Sequence, residues 1–419
     1  MPKFLVPRDA RSWVDVRADS HFPIQNLPFG VAHPKGGSES LAVAIGAEAL
    51  LLQPLGEAGM ISMDDFPGLD SFLDLDQESL SALRSVVYEL LASENSKLRD
   101  NSRLRDQILI PQRSARMQVP IPPTSFVDFY SGIHHASNVG RMFRPDQAPL
   151  LPNYRHLPVA YNGRASSVVG SGTDIRRPKG QTKPADSDLP HFGPTLEMDF
   201  ELELGCYISH GQEMGKRITC SAAEDHILGV VIVNDWSARD IQRWEYQPLG
   251  PFLAKSFGTT VSPWIVTLDA LEGCRIQGCV QEPEVLPHLR RKGKQHFDIH
   301  LEVWLKSAEM TKPQRISTSN TSNLYWSFAQ QIAHLTSNGC PVEPADLIAT
   351  GTISGPERHE SGSMLELSWR GSEPLVLEES GENRTFLADG DTLTLTGWVE
   401  GEGVKIGFGE CTGTIRPAV

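Results

Sequence analysis

The stretch Asp199-Phe200-Glu201-Leu202-Glu203-Leu204-Gly205 alternates acidic and apolar residues with period two. As a β-strand it puts Asp199, Glu201 and Glu203 on one face and Phe200, Leu202 and Leu204 on the other. Further along, the apolar run Gly229-Val230-Val231-Ile232-Val233 stops at Asn234-Asp235. If that strand end meets the acidic face, several carboxylate oxygens converge. Such crowding is stable only around a hard cation such as Mg²⁺ or Ca²⁺. The competing reading is an antiparallel sheet whose acidic face is simply in water.

A chain of 419 residues is expected to form two domains, with a sizeable core in the larger. Its formal net charge of −14 argues against nucleic acid or an anionic membrane as partner, so an anionic substrate requires a local cluster of Arg and Lys. No apolar run approaches the roughly 18 residues of a membrane span, and Met1 to Asp9 contains no signal-peptide core. Cys206, Cys220, Cys274, Cys279, Cys340 and Cys411 form no Cys-x-x-Cys pair, which speaks against zinc or a redox dithiol. Their low density fits free thiols in a cytoplasmic protein.

Residues 1–120 read as a separate N-terminal unit and 121–419 as the larger one. Leu41-Ala42-Val43-Ala44-Ile45 and Ala49-Leu50-Leu51-Leu52, framed by Gly and Pro, suit a small β-barrel. Leu80, Leu83, Val87, Leu90 and Leu91 at i, i+3, i+7, i+10 and i+11 predict a helix with Asp76 as N-cap. Residues 97–113 look helical, and Val119-Pro120-Ile121-Pro122-Pro123-Thr124 reads as a stiff linker. Strands dominate thereafter, at residues 297–305 and 391–396. Helices are expected from Ser237 through Trp244 and over Leu324, Phe328, Ile332 and Leu335, whereas 179–194 reads as a long loop.

Four constellations could carry chemistry. Asp128, Tyr130, His134, His135 and Arg144 lie close together just past the linker, and a His beside a carboxylate can serve as general base. Asp235 ends a buried strand where a helix begins, and Ser237, Arg239, Gln242 and Tyr246 can share a side of that helix, suited to an oxyanion. Residues 248–260, rich in Gly and Pro, form a structured loop in which Lys255 and the Thr hydroxyls can face an oxyanion or a metal shell. The loop lacks a phosphate-loop spacing. Glu366, between Leu365 and Leu367, reads as an acid on a packed strand and gains interest only if it meets a His. Each group has a bland counterpart in a solvated surface.

Taken together, these residues resemble the fumarylacetoacetase family in its long, two-domain form. The resemblance includes residues 21–30, Leu157-Pro158-Val159-Ala160-Tyr161-Asn162-Gly163-Arg164-Ala165-Ser166-Ser167, 234–246, 248–260 and Gly351-Thr352-Ile353-Ser354-Gly355. It implies a mainly β fold, with a small SH3-like β-barrel followed by a larger mixed β-roll carrying a few helices. It implies a metal site of Asp128, Glu201, Glu203 and Asp235 with Lys255 and Thr259 beside it, occupied by Mg²⁺ or Ca²⁺. His135 oriented by Glu366 is implied to activate water, with Arg239, Gln242 and Lys255 as oxyanion donors. Tyr130, Arg144, Tyr161, Gln242, Tyr246 and Thr352 are the implied substrate contacts. His135 matches the family position, rather than His134, because it keeps the seven-residue step from Asp128. The family members are homodimers. Asn162, where animal members have His, and Ala254, where Gly is usual, depart from the pattern near the substrate pocket.

The implied reaction is hydrolysis of the C–C bond of 4-fumarylacetoacetate, a diketo-diacid, to fumarate and acetoacetate, the last step of tyrosine and phenylalanine catabolism. It needs a base to make hydroxide, donors worth on the order of 2–4 kcal/mol each at the oxyanion, and a Lewis acid to spread the charge of the departing carbanion. Rival expectations are an acylpyruvate hydrolase, a decarboxylase or isomerase of the same superfamily, and a non-catalytic Ca²⁺-stabilised scaffold.

Overall fold

The protein is described from a computed structural model, over residues 4–62, 72, 73, 75–184, 186–401 and 403–419. Residues 1–3, part of the N-terminal stretch expected to hold no signal peptide, lie outside the described residues, as does residue 185 of the expected loop.

Five antiparallel strands build the N-terminal sheet: β1 (Phe29–Pro34), β2 (Ser40–Ile45), β3 (Glu48–Leu51), β4 (Leu109–Pro111) and β5 (Ala115–Met117), in the order β4-β3-β2-β1-β5. This five-stranded sheet stands where the small β-barrel is expected, as a half-barrel with β4 and β5 at its edges. Helix α1 (Gln77–Leu91) begins where Asp76 accepts the Ser79 N–H at 2.8 Å, and its five periodic apolar residues enter the same core as β2.

The larger region is organised around a seven-stranded sheet. Its strands are β6 (Phe126–Phe129), β7 (Ala160–Asn162), β8 (Val168–Gly170), β9 (Leu202–Ile208), β10 (Ile227–Asp235), β11 (Thr259–Val261) and β12 (Leu347–Ala349), ordered β7-β6-β12-β9-β10-β11-β8. Alternate residues of β10 enter different cores. Val231 and Val233 join the core of the N-terminal sheet, while Val230 and Ile232 pack with Leu301, Val303, Leu393 and Leu395 of a second, six-stranded sheet. A strand covered on both faces reads as a continuous apolar run, which is why β10 shows no alternation. For the same reason the acids here are not in water: Glu201 just before β9, Glu203 on it and Asp235 at the end of β10 are all buried.

Local expectations shift in identifiable ways. The alternating stretch is not one strand. Met198–Asp199 pairs with Ser237–Ala238, and the ladder with β10 starts only at Leu202. Because Ser237–Ala238 is extended, the next helix, α3 (Arg239–Glu245), starts two residues later than expected. Residues 97–113 split at the Asn101 cap into two short helices, Ser96–Arg99 and Ser102–Ile108, followed by β4 and a single 3-10 turn, Gln112–Ser114. The linker packs, since the Tyr207 hydroxyl donates to the Ile121 carbonyl at 2.9 Å. The helix expected over Leu324–Leu335 runs from Phe328 to Leu335, because Ser327 and Gln330 form its capping box. The expected long loop is corrected as well: Lys179–Thr182 and His191–Pro194 form an antiparallel hairpin. Its polar composition hides it because a mostly exposed two-stranded ladder needs backbone pairing and little apolar burial.

Candidate active site

Sheet order brings the acids together. Asp128 on β6 stands opposite Tyr161 of β7 and Ala349 of β12, and β12 pairs with β9. Glu203 lies on β9, Glu201 just before it, and Asp235 at the end of the neighbouring β10, opposite Thr259 of β11. One carboxylate oxygen from each of Asp128, Glu201, Glu203 and Asp235 lies within 4.8 Å of the others, and all four residues are buried. Asp128 Oδ1 and both oxygens of Glu203 have no protein partner. Four hard oxygen donors with orphaned atoms suit a divalent cation.

The surroundings divide these acids. Burial, followed by the neighbouring carboxylates, pushes Asp128 and Glu203 well above the usual carboxyl range. Burial also opposes the charge of Glu201, but Lys255, Arg239 and His135 outweigh it and hold that carboxyl well below its ordinary value. Lys255 Nζ bonds Glu201 and lies 3.0 Å from Asp235 Oδ2. Burial works against its charge, and the acids around it overcome this and raise it above the usual range. An ammonium has no lone pair, so Lys255 neutralises the cluster from beside it instead of ligating. The Thr259 hydroxyl donates to Asp235 Oδ1 at 2.7 Å and the Tyr161 hydroxyl to Asp235 Oδ2 at 2.6 Å, which orients this carboxylate.

The raised carboxyls have a consequence for cation binding. A folded-state value above the unfolded one means the group stabilises fully at low pH, and that contribution is lost as pH rises through the folded value. A cation that replaces the proton therefore stabilises more as pH rises. The increase in Tm on saturating with Mg²⁺ or Ca²⁺ should grow between about pH 5 and pH 8; an increase that is flat or falls over this range would contradict the assignment.

His135 sits on α2 (Ile133–Phe143), just past β6. Its Nδ1 lies 2.6 Å from Glu366 Oε2, and its Nε2 lies 3.8 Å from Glu201 Oε1, on the side of the acid cluster. His134 is half-buried, whereas His135 is only 2% exposed. Glu366 is on a helical turn, α4 (Met364–Leu367), which corrects the expected strand, and it is buried. Burial opposes its charge, but His135 and the hydrogen bonds from His135, Asn138 and Ser363 hold the carboxyl below its ordinary range. Gly351, at φ 76°, makes the turn after β12, where a Cβ would stand 2.0 Å from the Phe129 carbonyl oxygen. Only glycine allows that approach, which brings Thr352 beside the end of β6.

Arg239 Nε bonds Asp199 at 2.7 Å and Nη1 reaches Glu201 at 2.8 Å and Gln242 Oε1 at 3.1 Å. Asp199 also accepts the N–H groups of Met364 and Leu365 at 2.6 and 3.1 Å, so it joins α4 to Arg239 and stays outside the acid cluster. Arg239 Nη2, Arg144 Nε and Thr352 Oγ1 are buried without a protein partner. Tyr130 packs edge-on to His135 with ring centroids 5.5 Å apart. Tyr246 is at the C-cap of α3, its hydroxyl accepting from Gln247 at 3.1 Å. Neither Tyr246 nor Arg144, whose Nη2 donates to the Pro149 carbonyl at 3.2 Å, bonds an acid of the cluster.

The sequence profile described as fumarylacetoacetate hydrolase C-terminal matches residues 124–416, and the one described as fumarylacetoacetase N-terminal matches 25–120. The chain belongs to the fumarylacetoacetate hydrolase family. It is 48% identical to the fumarylacetoacetase of Arabidopsis thaliana over 97% of this chain and 99% of that protein. It is 47% identical to those of Oryza sativa (98% of each chain) and Homo sapiens (97% of this chain, 99% of that one). A solved fumarylacetoacetate hydrolase from Exiguobacterium antarcticum shares the fold with a TM-score of 0.52 and 17% identity, over 93% of this chain and 99% of that one. Within this family framework, sequence reasoning missed Asn138, Ser354 and Ser363, all bonded to Glu366. Two signals were available: Asn138 follows His135 at i+3, and Ser363 precedes Glu366 by three residues, a helix-start pattern.

Proposed function

We propose that the protein is a divalent-metal-dependent hydrolase that splits the C–C bond of 4-fumarylacetoacetate into fumarate and acetoacetate. The carrying observation is the meeting of the buried His135–Glu366 pair with the four-acid cluster across Glu201. The family and its 47% identical relatives named fumarylacetoacetase support the substrate.

Asp128, Glu201, Glu203 and Asp235 would hold Mg²⁺ or Ca²⁺, with Lys255 and Thr259 beside them. When bound, the cation supplies Lewis-acid polarisation of diketone oxygens. Glu366 accepts Nδ1–H of His135, which leaves Nε2 as the base toward the cluster. Nε2 takes a proton from water, whose oxygen attacks the carbonyl carbon next to the fumaryl double bond. Arg239, Gln242 and Lys255 face the resulting oxyanion. When the C–C bond breaks, its electron pair passes to the methylene carbon and spreads onto the neighbouring ketone oxygen, and the imidazolium returns the proton to that carbon. Tyr130, Arg144, Tyr161, Tyr246 and Thr352 would hold the two terminal carboxylates and the ketones, and Arg144 supplies a cation for a carboxylate in a chain of net charge −14.

We read residues 1–120 as a supporting N-terminal domain and 121–419 as the catalytic one, in a cytoplasmic enzyme acting last in tyrosine and phenylalanine catabolism. Six free cysteines accord with that compartment. A homodimer is supported by Phe192, Leu196, Trp244, Leu249, Phe252 and Leu253, all exposed on the 179–194 hairpin, α3 and adjoining loops. Light scattering that gives the mass of a single chain would remove it. A panel of fumarylacetoacetate and simple acylpyruvates tests the substrate. Fumarylacetoacetate should give the highest kcat/KM, and preference for an acylpyruvate would overturn the reading.

A further inference from the structure

Helix α2 carries His135, Asn138 and Arg141 at successive steps of three, so they follow one another along one side. Asn138 Nδ2 donates to Glu366 Oε1 at 2.9 Å, and Arg141 Nη1 donates to Asn138 Oδ1 at 3.1 Å. The second bond assigns the amide: its oxygen faces a guanidinium, so its nitrogen faces the carboxylate. The other oxygen of Glu366, Oε2, meets His135 Nδ1, Ser354 Oγ and Ser363 Oγ at 2.6, 2.9 and 2.8 Å. Three partners thus gather on Oε2, and among the described residues Asn138 is the side chain bonded to Oε1.

We propose that Asn138, its amide held by Arg141, is a positioning residue that fixes the plane of the Glu366 carboxylate against His135 Nδ1. The proposal rests on the reading of His135 and Glu366 as the water-activating pair. A carboxylate anchored at one oxygen can still pivot about that point and tilt its plane; a bond to the second oxygen adds the further anchor that fixes the plane. Both grips come from the same helix, one turn apart, so the angle between imidazole and carboxylate is set by the geometry of α2. A tie between α2 and α4 for stability alone would not need Asn138, because Arg370, just past α4, already donates to the Met142 carbonyl at 3.2 Å and lies over the Phe143 ring at 5.5 Å. The cation of Arg141 polarises the amide and strengthens its N–H as a donor.

The test combines Asn138→Ala and Arg141→Ala with Glu366→Gln, read by steady-state kinetics and by NMR of the His135 Nδ1 proton in ¹⁵N-histidine-labelled protein. Asn138→Ala should lower kcat about tenfold, the lower end of the cost of losing an orienting outer partner, and leave KM unchanged. In the Glu366→Gln background the same change should cost almost nothing further, because the two act as one unit. Arg141→Ala, a surface change that leaves packing intact, should lower kcat less, and Arg141→Lys should restore it. The Nδ1 proton signal should shift or broaden in Asn138→Ala. An unchanged Nδ1 signal, or a loss in kcat that simply adds to that of Glu366→Gln, would overturn the positioning role. The NMR readout needs no substrate, so wild-type protein that fails to cleave fumarylacetoacetate would sink the functional reading without deciding this one.

Discussion

His135→Ala should lower kcat by about 10²–10⁴-fold, the range that a positioned general base contributes. The fold and cation binding should survive, since His135 lies beside the four acids and is not counted among them. The cavity left behind is lined by Glu366 and Tyr130, and Glu366 keeps its bonds from Asn138, Ser354 and Ser363, so its charge is not stranded. Kinetics together with a cation-dependent Tm shift check both halves. Activity within a few fold of wild type would remove His135 as the base. Lost activity accompanied by a lost Tm shift would mean that the substitution damaged the metal site.

Arg239→Met has the second large effect, and it acts on stability as well as on rate. Arg239 is 2% exposed and bonds two buried carboxylates, Asp199 and Glu201. Its loss leaves Asp199 with only backbone donors and removes one of the cations that hold Glu201 ionised. Breaking a buried pair by deleting one partner costs about 3–5 kcal/mol. Removing a single oxyanion donor costs a further ~10²–10³-fold in kcat. Denaturant unfolding and turnover measured on the same preparation check the pair of effects. A variant as stable as wild type would show that Asp199 and Glu201 do not depend on this guanidinium. Saturating divalent cation should recover part of the stability by compensating Glu201, but none of the rate.

Much of this site is legible in the chain because strands write their geometry into sequence with period two. Glu201, Glu203 and Asp235 follow from that rule and from the place where an apolar run stops. Asp128 and Thr259 do not, because their positions on β6 and β11 come from long-range pairing; local reading marked Asp128 as a carboxylate near a His and the loop threonines as able to face a metal shell, and only the family resemblance joined them to the other acids. Asp199 fits the alternation and still falls outside the cluster, since the chain leaves the ladder at Phe200 and Glu201 and gives Asp199 to Ser237 and Arg239. Glu366, an acid between two leucines, read either as packed on a strand or as a wet-face residue; it is buried on a helical turn, and four residues are too few to show a helical period, so the Ser363 cap is the only local sign of it. The wet acidic face was the wrong alternative because the sheet is packed on both sides, and the cover comes from segments far away in sequence. The hairpin at 179–194 escaped for the opposite reason: it buries little and so leaves no apolar pattern.

The most direct measurement follows the ultraviolet absorbance of enzymatically generated fumarylacetoacetate with the purified protein, with and without EDTA, and identifies the products. The account predicts rapid loss of absorbance, stoichiometric fumarate and acetoacetate, and suppression by EDTA that added Mg²⁺ or Ca²⁺ reverses. Absorbance that does not change while a divalent cation is demonstrably bound would contradict it.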